Sequence, residues 1–217
     1  MTSPKTIIIG ITGASGSIYG FTLLKFFLAN DYRVDLVISC NGEFVTFKEM
    51  AFDLRELNID EKKIKILELL GLNDKAQYLK IWDQKNIAAS IASGSYKTQG
   101  MIIAPCSVGT VGNIANGTSN NLVTRAADVV IKERRKLILL VREMPFSSIH
   151  LANMKTISDC GGVIMPAAPA FYQQPQTIQD QIDFIVGKVL DQLDIDHEIF
   201  KRWRGDASIL TKYLATV

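Results

Sequence analysis

The chain has 217 residues, 47% hydrophobic and 21% charged, with a formal net charge of +2. That length suits one globular domain, or one domain with an appended arm. The small net charge removes any strong electrostatic case for nucleic acid or a membrane surface as partner. No apolar stretch is long enough to span a bilayer. The apolar run at Thr6 follows Lys5 directly and lacks both the length of a signal peptide's apolar region and a small-residue cleavage site. Cys40, Cys106 and Cys160 form no pair motif, so the expected setting is reduced and cytoplasmic. With only His150 and His197 as histidines, no metal site of the usual spacing can be drawn, and acid–base chemistry falls to carboxylates, Lys, Tyr or Cys.

Thr6 to Ile11 reads as a buried strand, followed by the turn Thr12-Gly13-Ala14-Ser15-Gly16-Ser17 and a helical pattern to Asn30. Strand, glycine-rich turn and helix aim backbone N–H groups at an anion. The turn is shorter than G-x-G-x-x-G, so a dinucleotide fingerprint is not supported, and Ser17 is the expected helix cap. Val34 to Ser39 is a second strand with Ser39, Cys40, Asn41 and Gly42 at its carboxyl end. A polar, partly helical stretch follows to Leu72, in which Ile64, Ile66, Leu67 and Leu70 mark a surface helix. Asp74 to Ser90 carries no clear period, and Trp82 there reads equally as an edge aromatic or a pocket wall.

Gly100 to Ala104 is the third strand, running into Pro105-Cys106-Ser107-Val108-Gly109-Thr110 and a small-residue helix, where small side chains let the backbone approach a ligand. A capped turn at Asn116 to Asn121 opens the next helix, with Leu122, Ala126, Val129 and Val130 on one face. Arg125 and Lys132, two turns apart, share another face, which suits either solvent or a phosphate held by both. Lys132 to Lys136 reads as a solvated helix end rather than a nucleic-acid patch. Leu137 to Val141 is a continuous apolar run, as in a strand covered on both faces, and Arg142, Glu143 and Pro145 stand at its carboxyl end. After a helix over 147–159, Gly162 to Met165 is the fifth strand, followed by a stiff proline-alanine loop ending in Phe171 and Tyr172. Ile178 to Leu193 is an amphipathic helix with Lys188 off its core face. Residues 1–193 then form an α/β domain, and 194–217 a tail with Phe200, Trp203, Leu210 and Tyr213, a candidate oligomerisation arm. Five parallel strands with intervening helices predict a doubly wound sheet with helices on both faces. Small, hydroxyl or charged groups at every carboxyl strand end predict a site for a phosphate-bearing ligand there.

Gly13-Ala14-Ser15-Gly16, Ala104-Pro105-Cys106-Ser107 with Gly109-Thr110, Arg125 to Asp128, Lys132 to Arg135, Val141-Arg142-Glu143 with Pro145, and Met165 to Tyr172 together resemble the UbiX/Pad1 family of flavin prenyltransferases over residues 6–193. The resemblance implies a flavodoxin-like fold, FMN as cofactor, and a homo-oligomer, typically a dodecamer. It implies transfer of a dimethylallyl group from dimethylallyl phosphate to N5 and C6 of reduced FMN without a metal. The product, prenylated FMN, serves a UbiD-type decarboxylase, as in ubiquinone biosynthesis or aromatic acid decarboxylation. By the same resemblance Gly13, Ala14, Ser15, Ser39, Ser107, Val108, Gly109, Thr110 and Arg142 bind FMN. Tyr172 and Lys188, with Arg125 and Lys132 close by, bind the prenyl phosphate. Glu143 is the acid–base carboxylate, and Lys132 and Tyr172 are catalytic through the donor phosphate. Lys188 stands where the family often has Arg, keeping the charge but losing the planar fork.

Two alternatives stay open on sequence. One is an FMN-dependent cysteine decarboxylase of the related fold, against which the loop Pro-Cys-Ser-Val-Gly-Thr and the lack of a Met-Asn-x-x-Met-Trp motif speak. The other is a non-catalytic flavin carrier, which would not require Glu143, Lys132 and Tyr172.

Overall fold

The computed structural model describes residues 5–202; Trp203, Leu210 and Tyr213 of the expected arm lie outside them. Six strands form one parallel sheet: β1 (Thr6–Ile11), β2 (Arg33–Ile38), β3 (Leu79–Trp82), β4 (Gly100–Cys106), β5 (Lys136–Val141) and β6 (Val163–Pro166). Their order is β3-β2-β1-β4-β5-β6. The five strands read from sequence therefore stand in the flavodoxin-like order 2-1-3-4-5. The sixth, β3, adds to the β2 edge. It is short and alternates buried Leu79 and Ile81 with exposed Lys80 and half-buried Trp82, which is why the apolar-run criterion passed over it. Trp82 is thus an edge-strand residue, and its Nε1 donates to Asp35 Oδ1 of β2 at 2.7 Å.

The connecting helices are α1 (Ser17–Ala29), α2 (Cys40–Met50), α3 (Ile59–Leu70), α4 (Val108–Ala115), α5 (Leu122–Lys132) and α6 (Ser148–Asp159). Right-handed crossovers require that connections running in opposite directions along a parallel sheet lie on opposite faces. The β1-to-β2 connection through α1 and the β4-to-β5 connection through α4 and α5 do run in opposite directions. One face carries a single core cluster: Ile8, Val37, Met101, Ile103, Leu137, Leu139 and Val141 of the sheet against Val123, Ala126, Val130 and Ile157 of the helices. On α1, Phe21, Leu24, Phe27 and Leu28 are buried. In α3, Ile66, Leu67 and Leu70 are buried, but Ile64 points outward at 58% exposure.

The chain divides into two compact units, residues 1–166 and a second beginning at Ala167, which contains α7 (Ile178–Asp191). The sequence reading placed its boundary at 193 and 194 instead. The chain leaves the sheet at Pro166, and the residues after α7 pack back on that helix: the rings of Phe184 and Phe200 lie 5.3 Å apart, centre to centre.

Candidate active site

β1 and β4 are neighbours, yet the chain leaves β1 toward β2 and β4 toward β5. The departing loops diverge and open a crevice at the carboxyl ends of the strands, the usual ligand position in an open α/β sheet. Buried Thr12 ties its walls together: Thr12 Oγ1 donates to the Pro105 carbonyl at 2.9 Å and accepts from the Ser107 N–H at 2.9 Å.

A cavity of about 280 Å³ lies here, lined by Gly13, Ser39, Ser107, Gly109 and Thr110, together with Cys40, Asn41, Gln84, Asn113, Asn120 and Asn121. Ser39 caps α2, its Oγ accepting from Gly42 N at 3.0 Å, and Ser107 caps α4, its Oγ accepting from Thr110 N at 3.2 Å. A hydroxyl that accepts as a cap still has its proton to donate. Ser107 Oγ and Thr110 Oγ1 lie 3.0 Å apart, so that pair uses one proton internally and keeps one for an anion. Two helix N-termini, each with unsatisfied N–H groups and the positive end of a dipole, thus face one cavity. Gly13 permits the close approach of the β1 loop to α2, since a Cβ there would stand 2.5 Å from Asn41 Cβ. These features fit the phosphate of a mononucleotide. Of the remaining predicted cofactor positions, Ala14 and Val108 are the buried or half-buried chain neighbours of the lining residues. Ser15 meets Arg142 beside them: Arg142 Nε donates to the Ser15 carbonyl at 3.4 Å. A larger cavity of about 360 Å³ shares Cys40 and Gln84 and is lined by the largely buried Glu43–Lys62 ion pair.

Ser17 is not the cap of α1. That position is Gly16, at φ +105°, and Ser17 Oγ is buried without a hydrogen-bond partner. The carboxylate of Glu49, from the last turn of α2, closes the helix end instead, accepting from Gly16 N and Ser17 N at 3.0 Å. No local pattern points to Glu49, because the contact joins residues more than thirty apart in the chain. Tyr19 lies in the same neighbourhood: burial and then Glu49 push its phenol up from the ordinary value, and Arg142 pulls it down. Arg142, Glu49 and the Ser15–Ser17 turn therefore form a second polar group beside the cavity. Glu143 is half-buried next to Arg142, and its Oε1 accepts from Met144 N at 3.0 Å. Cys106 is fully buried and burial pushes its thiol up, so it supplies no thiolate.

Arg125 and Lys132 do not converge. Arg125 Nη1 pairs with Asp128 at 2.9 Å and Lys132 Nζ with Glu133 at 2.7 Å. They stand in the first and last turns of α5, separated by about 10 Å of helix. Lys132 stands just before β5, at the amino-terminal edge of the sheet, and β5 carries the chain about 20 Å to the carboxyl edge where the cavity opens. Within one copy of the chain Lys132 is therefore remote from that cavity. Tyr172 and Lys188 belong to the second unit. The Tyr172 ring meets Phe184 edge-on at 6.0 Å, and Lys188 Nζ lies 3.2 Å from Asp191 Oδ2. Among the described residues, no group of three or more His, Cys, Asp or Glu side chains could hold a metal ion, and no helix is long and apolar enough to cross a membrane.

Comparison with known proteins gives this geometry its context. The flavoprotein family model matches residues 1–202. The flavin prenyltransferase UbiX of Halalkalibacterium halodurans is 47% identical over 90% of this chain and 91% of its own. That of Aquifex aeolicus is 44% identical over 93% of this chain and 100% of its own. Among solved structures, AnUbiX (PadA1) in complex with FMN and dimethylallyl pyrophosphate superposes with a TM-score of 0.81 at 34% identity, covering 94% of this chain and all of that one. A dodecameric FMN-dependent UbiX-like decarboxylase from Escherichia coli O157:H7 superposes at 0.80 and 37%, covering 92% of this chain and all of that one. The cysteine decarboxylase TvaF, at 12% identity and a TM-score of 0.57, shares the fold alone. The chain belongs to the flavoprotein family and, within it, to the flavin prenyltransferases of the UbiX type.

Proposed function

We propose that the protein binds FMN and transfers a dimethylallyl group to its reduced form from dimethylallyl phosphate, yielding prenylated FMN. The observation that carries this reading is the crevice between β1 and β4, where two serine-capped helix ends and a glycine turn make a cradle for one phosphate, with Arg142 beside it. FMN supplies N5 and C6, the atoms that take the prenyl group. Ser39, Ser107 and Thr110 hold its phosphate through hydroxyls and helix-end N–H groups. Gly13 to Ser15 and Val108 to Gly109 bring the main chain close, and Arg142 supplies the charge-assisted hydrogen bond.

Tyr172 and Lys188 take the donor phosphate. Breaking the allylic C–O bond leaves negative charge there, which a phenol O–H and an ammonium stabilise. Glu143 removes the proton from C6 as the ring closes. Lys132 and Arg125 complete the phosphate pocket, and Lys132, remote from the cavity in its own chain, acts from a second copy. This reading therefore requires a homo-oligomer, and a dodecamer like the Escherichia coli neighbour fits it. Exposed apolar side chains after β5 support it: Met144 is 86% exposed and Ile149 70%. The product is then passed to a UbiD-type decarboxylase. Anaerobic incubation with reduced FMN and dimethylallyl phosphate, followed by mass spectrometry of the released flavin, tests the reading. The expected product carries one cyclised dimethylallyl unit, and recovery of FMN alone would overturn the assignment.

A further inference from the structure

We infer that Arg202, by gripping the Asp191 carboxylate that Lys188 also meets, keeps the Lys188 charge available to a donor phosphate. This inference rests on the proposed role of Lys188. Three side chains converge on Asp191. Lys188 Nζ lies 3.2 Å from Oδ2, one turn back on α7. Arg202 grips both oxygens, Nη1 to Oδ2 at 3.2 Å and Nη2 to Oδ1 at 2.7 Å. His197 Nε2 stands 3.1 Å from Oδ1 and 2.9 Å from the Gly187 carbonyl oxygen.

One carboxylate therefore faces two side-chain cations, Lys188 and Arg202, and cannot neutralise both. Remove Arg202 and the lysine is neutralised by Asp191 alone. A two-pronged guanidinium–carboxylate pair is stronger than a single ammonium contact, so Asp191 is committed first to Arg202. Lys188, oriented but incompletely neutralised, can still turn to a phosphate.

The segment that carries Arg202 is seated for this task. A Cβ at Gly187 would stand 2.3 Å from Phe200 Cδ1 and 2.7 Å from His197 Cε1, so the glycine lets the segment lie directly on α7. Phe200 in turn touches Phe184, which also meets Tyr172, the second proposed phosphate ligand. Residues 197–202 thus reach Lys188 through Asp191 and Tyr172 through Phe184.

The test measures donor KM, kcat and FMN affinity for the wild type, Lys188→Ala, Arg202→Ala, Arg202→Lys, Asp191→Asn and the double variant Asp191→Asn with Arg202→Ala. Arg202→Ala should raise donor KM roughly three- to tenfold, the scale of one unit charge several ångströms from a phosphate in a partly screened site. FMN affinity should be unchanged, and Arg202→Lys should fall between. The double variant should return toward the wild-type KM, because the neutral amide it carries at position 191 no longer competes for Lys188. That suppression is the decisive readout, since a merely structural role for Arg202 would make the double variant no better than Arg202→Ala. If Lys188→Ala raises donor KM while Arg202→Ala does not, or if the double variant is as impaired as Arg202→Ala, the inference fails and the proposed reaction stands. If Lys188→Ala leaves donor KM unchanged in an active enzyme, the donor does not bind at Lys188 and the inference falls with that assignment.

Discussion

Arg142 follows the buried run Leu137 to Val141 and reaches back to the Ser15 carbonyl, so its guanidinium is held over the turn that the flavin phosphate is proposed to meet. Arg142→Ala should weaken FMN binding by about 1.5–3 kcal/mol, the range for a hydrogen bond to a charged group. Fluorescence titration of FMN measures it, and equal affinity in both proteins would remove Arg142 from the site. The next residue has a different task. Glu143→Gln keeps the size and polarity of the side chain but removes the base. FMN binding should persist, while closure of the new ring slows by about 10²–10⁴-fold, the usual contribution of general base catalysis. Single-turnover spectra with dimethylallyl phosphate separate that step from the first. Wild-type closure in the variant would assign the proton to another group. Both residues were legible in the sequence because an apolar run ending in two charges is a local signal. Glu49 was not, since only folding brings its carboxylate to the α1 N-terminus.

The helix ends have two tasks. Ser39 and Ser107 satisfy N–H groups that would otherwise be orphaned, and their hydroxyls face the cavity. Ser107→Ala should therefore lower stability by about 1 kcal/mol through the lost cap and also weaken FMN binding. A variant with lower melting temperature but unaltered FMN affinity would confine Ser107 to capping. Glu49→Gln addresses α1 alone. A carboxylate at a helix N-terminus contributes about 0.3–1 kcal/mol through the dipole, and the amide retains only part of it. A modest fall in melting temperature is expected, and salt should shrink the difference. The expectation that Ser17 caps α1 failed for an instructive reason. Composition identifies a residue able to cap, but the backbone at Gly16 places Ser17 one position inside the helix, and a longer side chain from α2 takes the N–H groups.

At the scale of the molecule, the position of Lys132 makes one copy of the chain insufficient for the proposed chemistry, and the exposed apolar side chains after β5 offer a surface for another copy. Light scattering should give an oligomer at working concentration. Ile149→Asp, at a 70% exposed position, should shift the population toward smaller species and lower prenyl transfer in parallel, with the melting of the isolated fold little changed. A monomeric but fully active wild type would remove the second copy from the mechanism.

The sequence by itself determined the doubly wound class, five of the strands, the glycine and hydroxyl clusters at their carboxyl ends and the charged pair at the end of β5. Each depends on patterns within one element: apolar runs, 3.6-residue periodicity, or a turn with its glycines and hydroxyls. The edge strand β3 escaped because its few residues make no run. Tertiary structure alone decided that Thr12 ties the two loops together, that Glu49 closes α1, and that Arg202 shares Asp191 with Lys188. The physical reason is the same throughout. A hydrogen bond or ion pair depends on distance in space, and side chains far apart in sequence acquire that distance only when the chain has folded.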